Sequence, residues 1–158
     1  MPIQDQGQQQ TQQQTQQQPQ QQGARVHWSF WLIGIIALIW NGMGSLNFVL
    51  QLDPEMVAAY RESERLIIQD RPAWATAGFG FAVFGGTVAS LLLLLRKPYC
   101  SYFFVASTLG VVITIAHAIS RNIDFGIGEI VGIILMPLLV AAFLLWYSLL
   151  ARRKNWLG

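Results

Sequence analysis

Long runs of apolar residues alternate with short polar segments along most of this chain. Four runs are predicted as helical spans, at about residues 28–51, 73–95, 99–119 and 126–150. Each holds about 20 residues or more, which at a rise of about 1.5 Å per residue crosses a hydrocarbon core of about 30 Å. Within these limits the only charged or histidine side chains are His117 and Glu129. The pattern predicts an all-α membrane protein, with a bundle of four transmembrane helices in residues 25–153 and a short tail at 154–158.

The composition agrees with the hydrophobic pattern and excludes several other kinds of protein and site. Only 11% of the residues are charged, against about 25% in soluble domains. The basic residues lie at helix ends and form no patch with interleaved aromatic residues, so we expect no nucleic-acid partner. The single cysteine, Cys100, excludes an intrachain disulfide and a CxxC site. The chain has no GxxxxGK[ST], HExxH or GxSxG motif, so we expect no catalytic residues, no metal and no cofactor.

The N-terminal segment differs from everything that follows it. Fourteen of residues 1–22 are Gln, and almost none is apolar. Such a segment cannot bury enough apolar surface to offset its ordering entropy, so residues 1–24 are predicted to be a disordered cytoplasmic tail. We favour a tolerated repeat expansion over the alternative, a tail that self-associates or binds a partner.

The positions of lysine and arginine predict the orientation in the membrane. One side would hold Arg25, Arg96, Lys97, Arg152, Arg153 and Lys154, and the other Arg61, Arg65, Arg71 and Arg121. Positive residues favour the cytoplasmic side, so both termini are predicted to be cytoplasmic. We expect a multi-pass membrane protein.

The loop at residues 52–71 is the one sizeable segment between spans. Asp53 is a plausible N-cap, Pro54 suits a first helical turn and Glu55 suits the positive end of a helix. These features predict a short helix on the outer surface. The alternative, which we favour at this stage, is a solvated connector that only allows the first two spans to pair.

Small residues predict where helices approach closely. They recur at every fourth position in the second span and at the start of the fourth: Gly78, Ala82, Gly86 and Ser90, then Gly128 and Gly132. Small side chains at this spacing let helix backbones pack closely in a membrane. The leucine run 91–95 is expected mostly to meet lipid. Pro137, in mid-span, removes the donor to the carbonyl of Ile133 and predicts a kink.

The first span carries an amide near its middle, at Asn41. Trp40, Gly44 and Asn47 share one face with Gln51 following, and Asn41 lies just beside it. A buried amide must find a hydrogen-bond partner, because leaving it unpaired in hydrocarbon is costly. We favour a bond that holds helices together over the alternative, the lining of a polar cavity.

The best candidate for chemistry is a pairing of His117 with Glu129. Both lie at similar depth on consecutive antiparallel spans, and His117 ends a stripe that includes Ser107, Gly110 and Thr114. An ionisable pair in a membrane could respond to protons or bind a ligand. The alternatives are a structural hydrogen bond, or a Glu129 that only neutralises a helix N-terminus. The candidate polar or ligand site is Asn41, Asn47, Thr114, His117 and Glu129.

Several short motifs resemble a family of small bacterial four-span membrane proteins. They are Trp40-Asn41 with Gly44, Asn47-Phe48, Pro72-Ala73-Trp74, Gly85-Gly86, Ser90 through Leu95 into Arg96-Lys97, and Ser107 with Gly110. The resemblance covers about residues 28–153. Members are often labelled sugar transporters and have no established activity, so the resemblance implies transport but supplies no site residues. Where this chain has Asn47 and Phe48, members often carry an acidic residue and a tyrosine, so a proton-coupled mechanism does not transfer to Asn47.

Two classes of function follow from these observations. The first is a component for transport of a small, sugar-like solute, and the second is a non-transporting bundle that accompanies or regulates other membrane proteins. A membrane enzyme is a weaker third class, since only one acid–base pair is available. Besides the lipid bilayer, the partners expected are further copies of the chain or another membrane protein.

Overall fold

The computed structural model describes residues 26–69 and 71–157, and these residues form helices without strands. In chain order the helices are α1 (Trp28–Leu50), α2 (Pro54–Ala58), α3 (Glu62–Gln69), α4 (Ala73–Leu94), α5 (Cys100–Ser120) and α6 (Ile127–Arg153). The predicted disordered tail, residues 1–24, lies outside the described residues.

Four of these helices, α1, α4, α5 and α6, are long and apolar enough to span a membrane. They contain 23, 22, 21 and 27 residues, and their ends differ by at most three residues from those predicted. Many large apolar side chains point away from the bundle, as at Ile36, Phe81 and Leu139. In water such a surface would be unfavourable, whereas lipid chains cover it. The all-α fold with four membrane helices is therefore confirmed, and the protein is a multi-pass membrane protein.

The long helices pack in chain order, α1 on α4, α4 on α5 and α5 on α6. We call the end where α1 and α6 carry the chain termini the terminal end, and the opposite end, with loop 51–72, the loop end. At the terminal end α1 also meets the last residues of the chain: the Phe30 ring lies 6.3 Å from that of Tyr147 and 6.0 Å from that of Trp156. Arg96 Nε donates to the Trp156 carbonyl at 2.7 Å. The bundle is thus closed at the terminal end.

Small residues bring α4 and α5 together. A Cβ added at Gly110 of α5 would lie 2.5 Å from both the Ala82 nitrogen and the Gly78 oxygen of α4. Backbone therefore lies against backbone at this crossing, as expected for small residues in membrane helices. Gly86 faces α1 and α5 together, because a Cβ there would meet the Asn41 amide and lie 3.0 Å from Ser107 Oγ.

Helix α6 is irregular in its first half. Residues Ile130–Leu135 form a π-helical segment directly before Pro137, and the Met136 N–H donates to the Val131 carbonyl, five residues back. Because Pro137 has no N–H and its ring crowds the preceding turn, the widened turn accommodates the proline. The kink expected at Pro137 stays a prediction, and the sequence did not predict the π-helical segment before it.

Candidate functional site

A cavity of about 650 Å³ extends from the loop end of the bundle past its middle. All four long helices and α3 line it, and it reaches from Arg71 and Glu129 down to Asn41, Ser107 and Leu144. Its volume lies within the range of about 300–1,000 Å³ that is usual for small-molecule sites. The cavity is possible because α1 and α6 each pack on the α4–α5 pair instead of on each other at this end.

One face of α1 forms a wall of the cavity. Trp40, Gly44, Asn47 and Gln51 all line it, as their spacing of three or four residues on a helix allows. Asn41 also lines it from beside this face, and its Nδ2 donates to the Ala37 carbonyl at 2.8 Å and lies 3.5 Å from Ser90 Oγ of α4. Asn41 therefore combines the two roles considered from the sequence, since it contacts the neighbouring helix and borders a cavity.

Helices α2 and α3 and the turn between them form the segment that we call the cap (Pro54–Gln69). The cap borders the loop end of the cavity through residues of the turn and of α3. Asp53 caps α2 as predicted, since its Oδ1 accepts from the Glu55 N–H at 2.9 Å. Val57 and Ile67 are buried. The interpretation favoured from the sequence, a solvated connector, is therefore wrong: the segment is amphipathic, and its apolar side is held against the bundle.

Hydrogen bonds join the cap to three transmembrane helices. Tyr60 donates its hydroxyl proton to Asn47 Oδ1 of α1. Ser63 Oγ donates to Glu129 Oε1 of α6 at 2.5 Å, and His117 Nε2 of α5 lies 3.3 Å from the Ile67 carbonyl oxygen. The cap thus joins α1 to α6 at the end where those two helices do not pack on each other.

The predicted pairing of His117 with Glu129 is not formed. His117 is buried behind α3, edge-on to Trp74 with ring centroids 5.6 Å apart, and it does not line the cavity. Glu129 accepts from Ser63 and, through Oε2, from the Gly126 N–H at 3.0 Å. The two side chains do not pair because α3 offers each of them a separate partner, Ser63 for Glu129 and the Ile67 carbonyl for His117. Glu129 instead lies at the N-terminus of its own helix and accepts a hydrogen bond there. This is the alternative role considered from the sequence.

The remaining predicted residues divide between the cavity and the helix contacts. Asn47, Thr114 and Glu129 line the cavity with Asn41. Gly78, Ala82 and Ser90 lie buried within α4. Gly128 and Gly132 line the cavity, and a Cβ added at either would meet nothing within 4 Å. Within the described part of the chain, these two glycines therefore pack against no other helix.

Arg71, at the loop end, belongs to the site although the sequence did not single it out. It lines the cavity, its guanidinium lies 5.0 Å from the centroid of the Phe79 ring, and one terminal nitrogen donates to Gln51 Oε1 at 2.8 Å. Its Nε is buried and has no hydrogen-bond partner, and burial lowers the pKa of the guanidinium. In the sequence Arg71 served only as a topology marker, because it directly precedes Pro72 and the second span.

The part of the cavity beyond the loop end, which we call the lower cavity, is largely apolar. Its hydroxyl groups already donate hydrogen bonds. Ser107 donates to the Ala82 carbonyl at 2.6 Å, Thr108 to the Phe104 carbonyl at 2.8 Å and Thr114 to the Gly110 carbonyl at 2.9 Å. Within the described residues, no group of three or more His, Cys, Asp or Glu side chains could hold a metal ion. The arrangement is suited to binding a molecule in a pocket.

Comparison of the chain with family models, with curated proteins and with solved structures finds no match.

Proposed function

We propose that this membrane protein is a transport component that binds a small molecule in the capped cavity. The observation that carries the proposal is the depth of the cavity, which extends from the cap to Asn41 and Ser107 inside the transmembrane region. A dry, fully packed interior would have favoured a purely accessory bundle. The resemblance to proteins labelled sugar transporters supports the same class of function.

Two glycines provide a matched test of binding in the cavity. Gly132 lines the cavity and Gly42 does not, yet a Cβ at either position would meet nothing within 4 Å. We expect Gly132→Trp to fill the cavity and Gly42→Trp to leave it open. The protein is purified in native lipid, and small molecules that co-purify with wild type and with each variant are quantified by mass spectrometry.

The expected result is a molecule retained by wild type and by Gly42→Trp but lost from Gly132→Trp. Equal retention by both variants would mean that nothing binds in the cavity, and the transport proposal would fall. Melting temperatures of the two variants show whether the loss reflects filling of the cavity or damage to the fold.

We also propose that both termini are cytoplasmic, in a bacterial inner membrane, so that the cap lies on the outer side. Support comes from the clustered cations Arg96-Lys97 and Arg152-Arg153-Lys154 at the terminal end. In a Cys100→Ala background, an impermeant maleimide applied to intact cells should label Glu62→Cys and spare Arg153→Cys. The reverse labelling pattern would invert the topology.

The second candidate is a non-transporting bundle that accompanies another membrane protein or a second copy of itself. The observation that favours it is the bare surface of α6 at Gly128 and Gly132, which has no neighbour within the described chain. In this case Gly132→Trp would remove a co-purifying protein, or a dimer seen by native mass spectrometry, and would leave the small molecules unchanged.

A further inference from the structure

The chemistry of the lining narrows the class of molecule that fits the cavity. A sugar presents many hydroxyl groups, and burying them without partners is unfavourable. In the lower cavity Ser107, Thr108 and Thr114 use their protons on backbone carbonyls, and the Asn41 amide donates to Ala37. The side chains around them are apolar, including Ile133, Pro137, Val140 and Leu144. This part of the cavity suits an apolar molecular body.

The side of the cavity between α1 and α6 is open within the membrane-spanning region. Trp40 and Met43 border it on α1, and the Met43 side chain is 65% exposed. On α6 the facing positions are Gly128 and Gly132, which have no side chains to close the gap. An apolar molecule can therefore enter from the bilayer as well as from the loop end.

The loop end of the cavity carries a positive charge that the described residues do not neutralise. Arg71 has a neutral hydrogen-bond partner in Gln51 and the face of Phe79 beside it, but no carboxylate within ion-pair distance among the described side chains. Its Nε is buried and unpartnered. A half-buried guanidinium without a counter-charge is unfavourable, and an oxyanion that accepts from its terminal N–H groups would supply that charge.

The two described acidic residues that line the cavity, Glu129 and Glu64, do not supply this counter-charge. Glu129 is engaged by Ser63, by the Gly126 N–H and by electrostatic attraction to Arg61. Glu64 borders the cavity but also a groove on the cap surface with Leu50 and Met56, where water can solvate it. Of the two described cations that line the cavity, Arg61 faces Glu129, and Arg71 remains for a bound anion.

From these contacts we infer that the cavity binds an amphipathic organic anion. Its carboxylate or phosphate group lies at Arg71, and its apolar body extends toward Asn41 and Leu144. The inference rests on the proposed function and replaces the sugar-like solute with a different chemical class. The same chemistry occurs in anionic membrane lipids and in free hydrophobic acids, so the test separates the two sources.

The first arm of the test uses probes that share one chain and differ in the head group. Full-length protein in phosphatidylcholine nanodiscs is titrated with decanoate, decanamide and decylamine at neutral pH, with native mass spectrometry as the readout. We expect decanoate to bind about tenfold more tightly than decanamide, the effect of one charge-assisted hydrogen bond. Arg71→Gln should remove this preference and Arg71→Lys should retain part of it.

The control is Arg65→Gln, which removes a cation from the same loop at a position that does not line the cavity. It should leave the preference for decanoate unchanged. All variants are compared in identical nanodiscs, so the partitioning of the probes into lipid contributes equally to each measurement. Equal binding of decanoate and decanamide, tighter binding of decylamine, or a preference that survives Arg71→Gln would overturn the inference. If Arg71→Gln lowers the melting temperature, Arg71→Lys, which keeps the charge, decides the question.

The second arm identifies the source of the anion. After transfer from nanodiscs that contain phosphatidylglycerol into detergent, retention of that lipid by wild type but not by Arg71→Gln indicates a membrane lipid. Decanoate binding without lipid retention indicates a free hydrophobic acid. The failures are distinguishable: if sucrose or decanamide binds and Gly132→Trp blocks it, the anion inference falls and the transport proposal stands. If Gly132→Trp changes no binding of any probe, both fall.

Discussion

The two ends of this bundle are built from equally apolar helices but are organised differently. At the terminal end the aromatic and leucine side chains of α1, α4, α5 and α6 form one core, in which Phe30 and Leu93 are 0% exposed. At the loop end the same helices enclose a cavity of about 650 Å³. Hydropathy does not distinguish the two ends. The difference lies in which helices touch.

The cap compensates for the missing contact at the loop end. Where α1 and α6 meet at the terminal end, ring packing around Phe30 joins them. Where they separate, Tyr60 and Ser63 form hydrogen bonds to α1 and α6 instead. Packing contacts are short-ranged and fill space, whereas hydrogen bonds from a surface segment can bridge helices and leave space beneath. Stability should therefore reside mainly at the terminal end and ligand binding at the loop end.

The largest expected effect is Phe30→Ala, which removes a fully buried ring from the terminal core. We expect a loss of about 3–5 kcal/mol in the free energy of unfolding, the usual cost of deleting a buried aromatic side chain. Phe79→Ala, which removes a half-buried ring beside the cavity, should cost less than half as much. Unfolding by SDS in mixed micelles measures both. Equal losses would mean that the two ends do not differ in packing.

The next effect compares two glycines on neighbouring helices. Gly110→Ala places a methyl group against backbone atoms of Ala82 and Gly78, which cannot move aside, and overpacking of this kind costs about 1–3 kcal/mol. Gly132→Ala meets open space and should be neutral or stabilising by up to about 1 kcal/mol, because alanine favours the helix. Melting temperatures in detergent provide the measurement. A destabilising Gly132→Ala would show that α6 has a neighbour at the loop end.

A smaller and local effect is expected from Ser63→Ala, which removes one hydrogen bond between the cap and α6. The loss of about 1 kcal/mol should appear in opening of the cap and not in global unfolding. Hydrogen exchange at the amides of Glu62–Gln69 should accelerate about fivefold, while the amides of α4 and α5 stay protected. The control is Ser29→Ala, which removes a hydrogen bond to His27 at the terminal end and leaves the cap unchanged. Unchanged exchange in the cap would mean that this bond does not hold it.

The smallest expected effect is the coupling between His117 and Glu129. Since each side chain contacts α3 separately, His117→Ala and Glu129→Gln should be additive in stability to within about 0.5 kcal/mol. A double-mutant cycle in the free energy of unfolding measures this value. Coupling well above that limit would restore the direct pair predicted from the sequence.

The leucine run in α4 shows why a membrane sequence leaves orientation open. Residues 91–95 are identical and were expected mostly to meet lipid, yet Leu93 is fully buried while Leu91 is 44% and Leu95 66% exposed. Lipid and protein interior are equally apolar, so hydropathy cannot separate their faces. Small residues were more informative, since Gly78, Ala82 and Gly86 mark the side on which α4 meets its neighbours.

The sequence alone determined the helices of this protein. The four spans, the Asp53 cap of α2 and the shared face of Trp40, Gly44 and Asn47 are local properties. They depend on hydropathy, helical period and backbone chemistry, all of which are encoded within a few neighbouring residues. Only the tertiary structure decided whether a cavity forms, how the cap attaches to the bundle, and that His117 and Glu129 do not pair. Each of these depends on whether α1 and α6 touch and on which helices α3 contacts. Residues far apart in sequence must meet before those contacts exist.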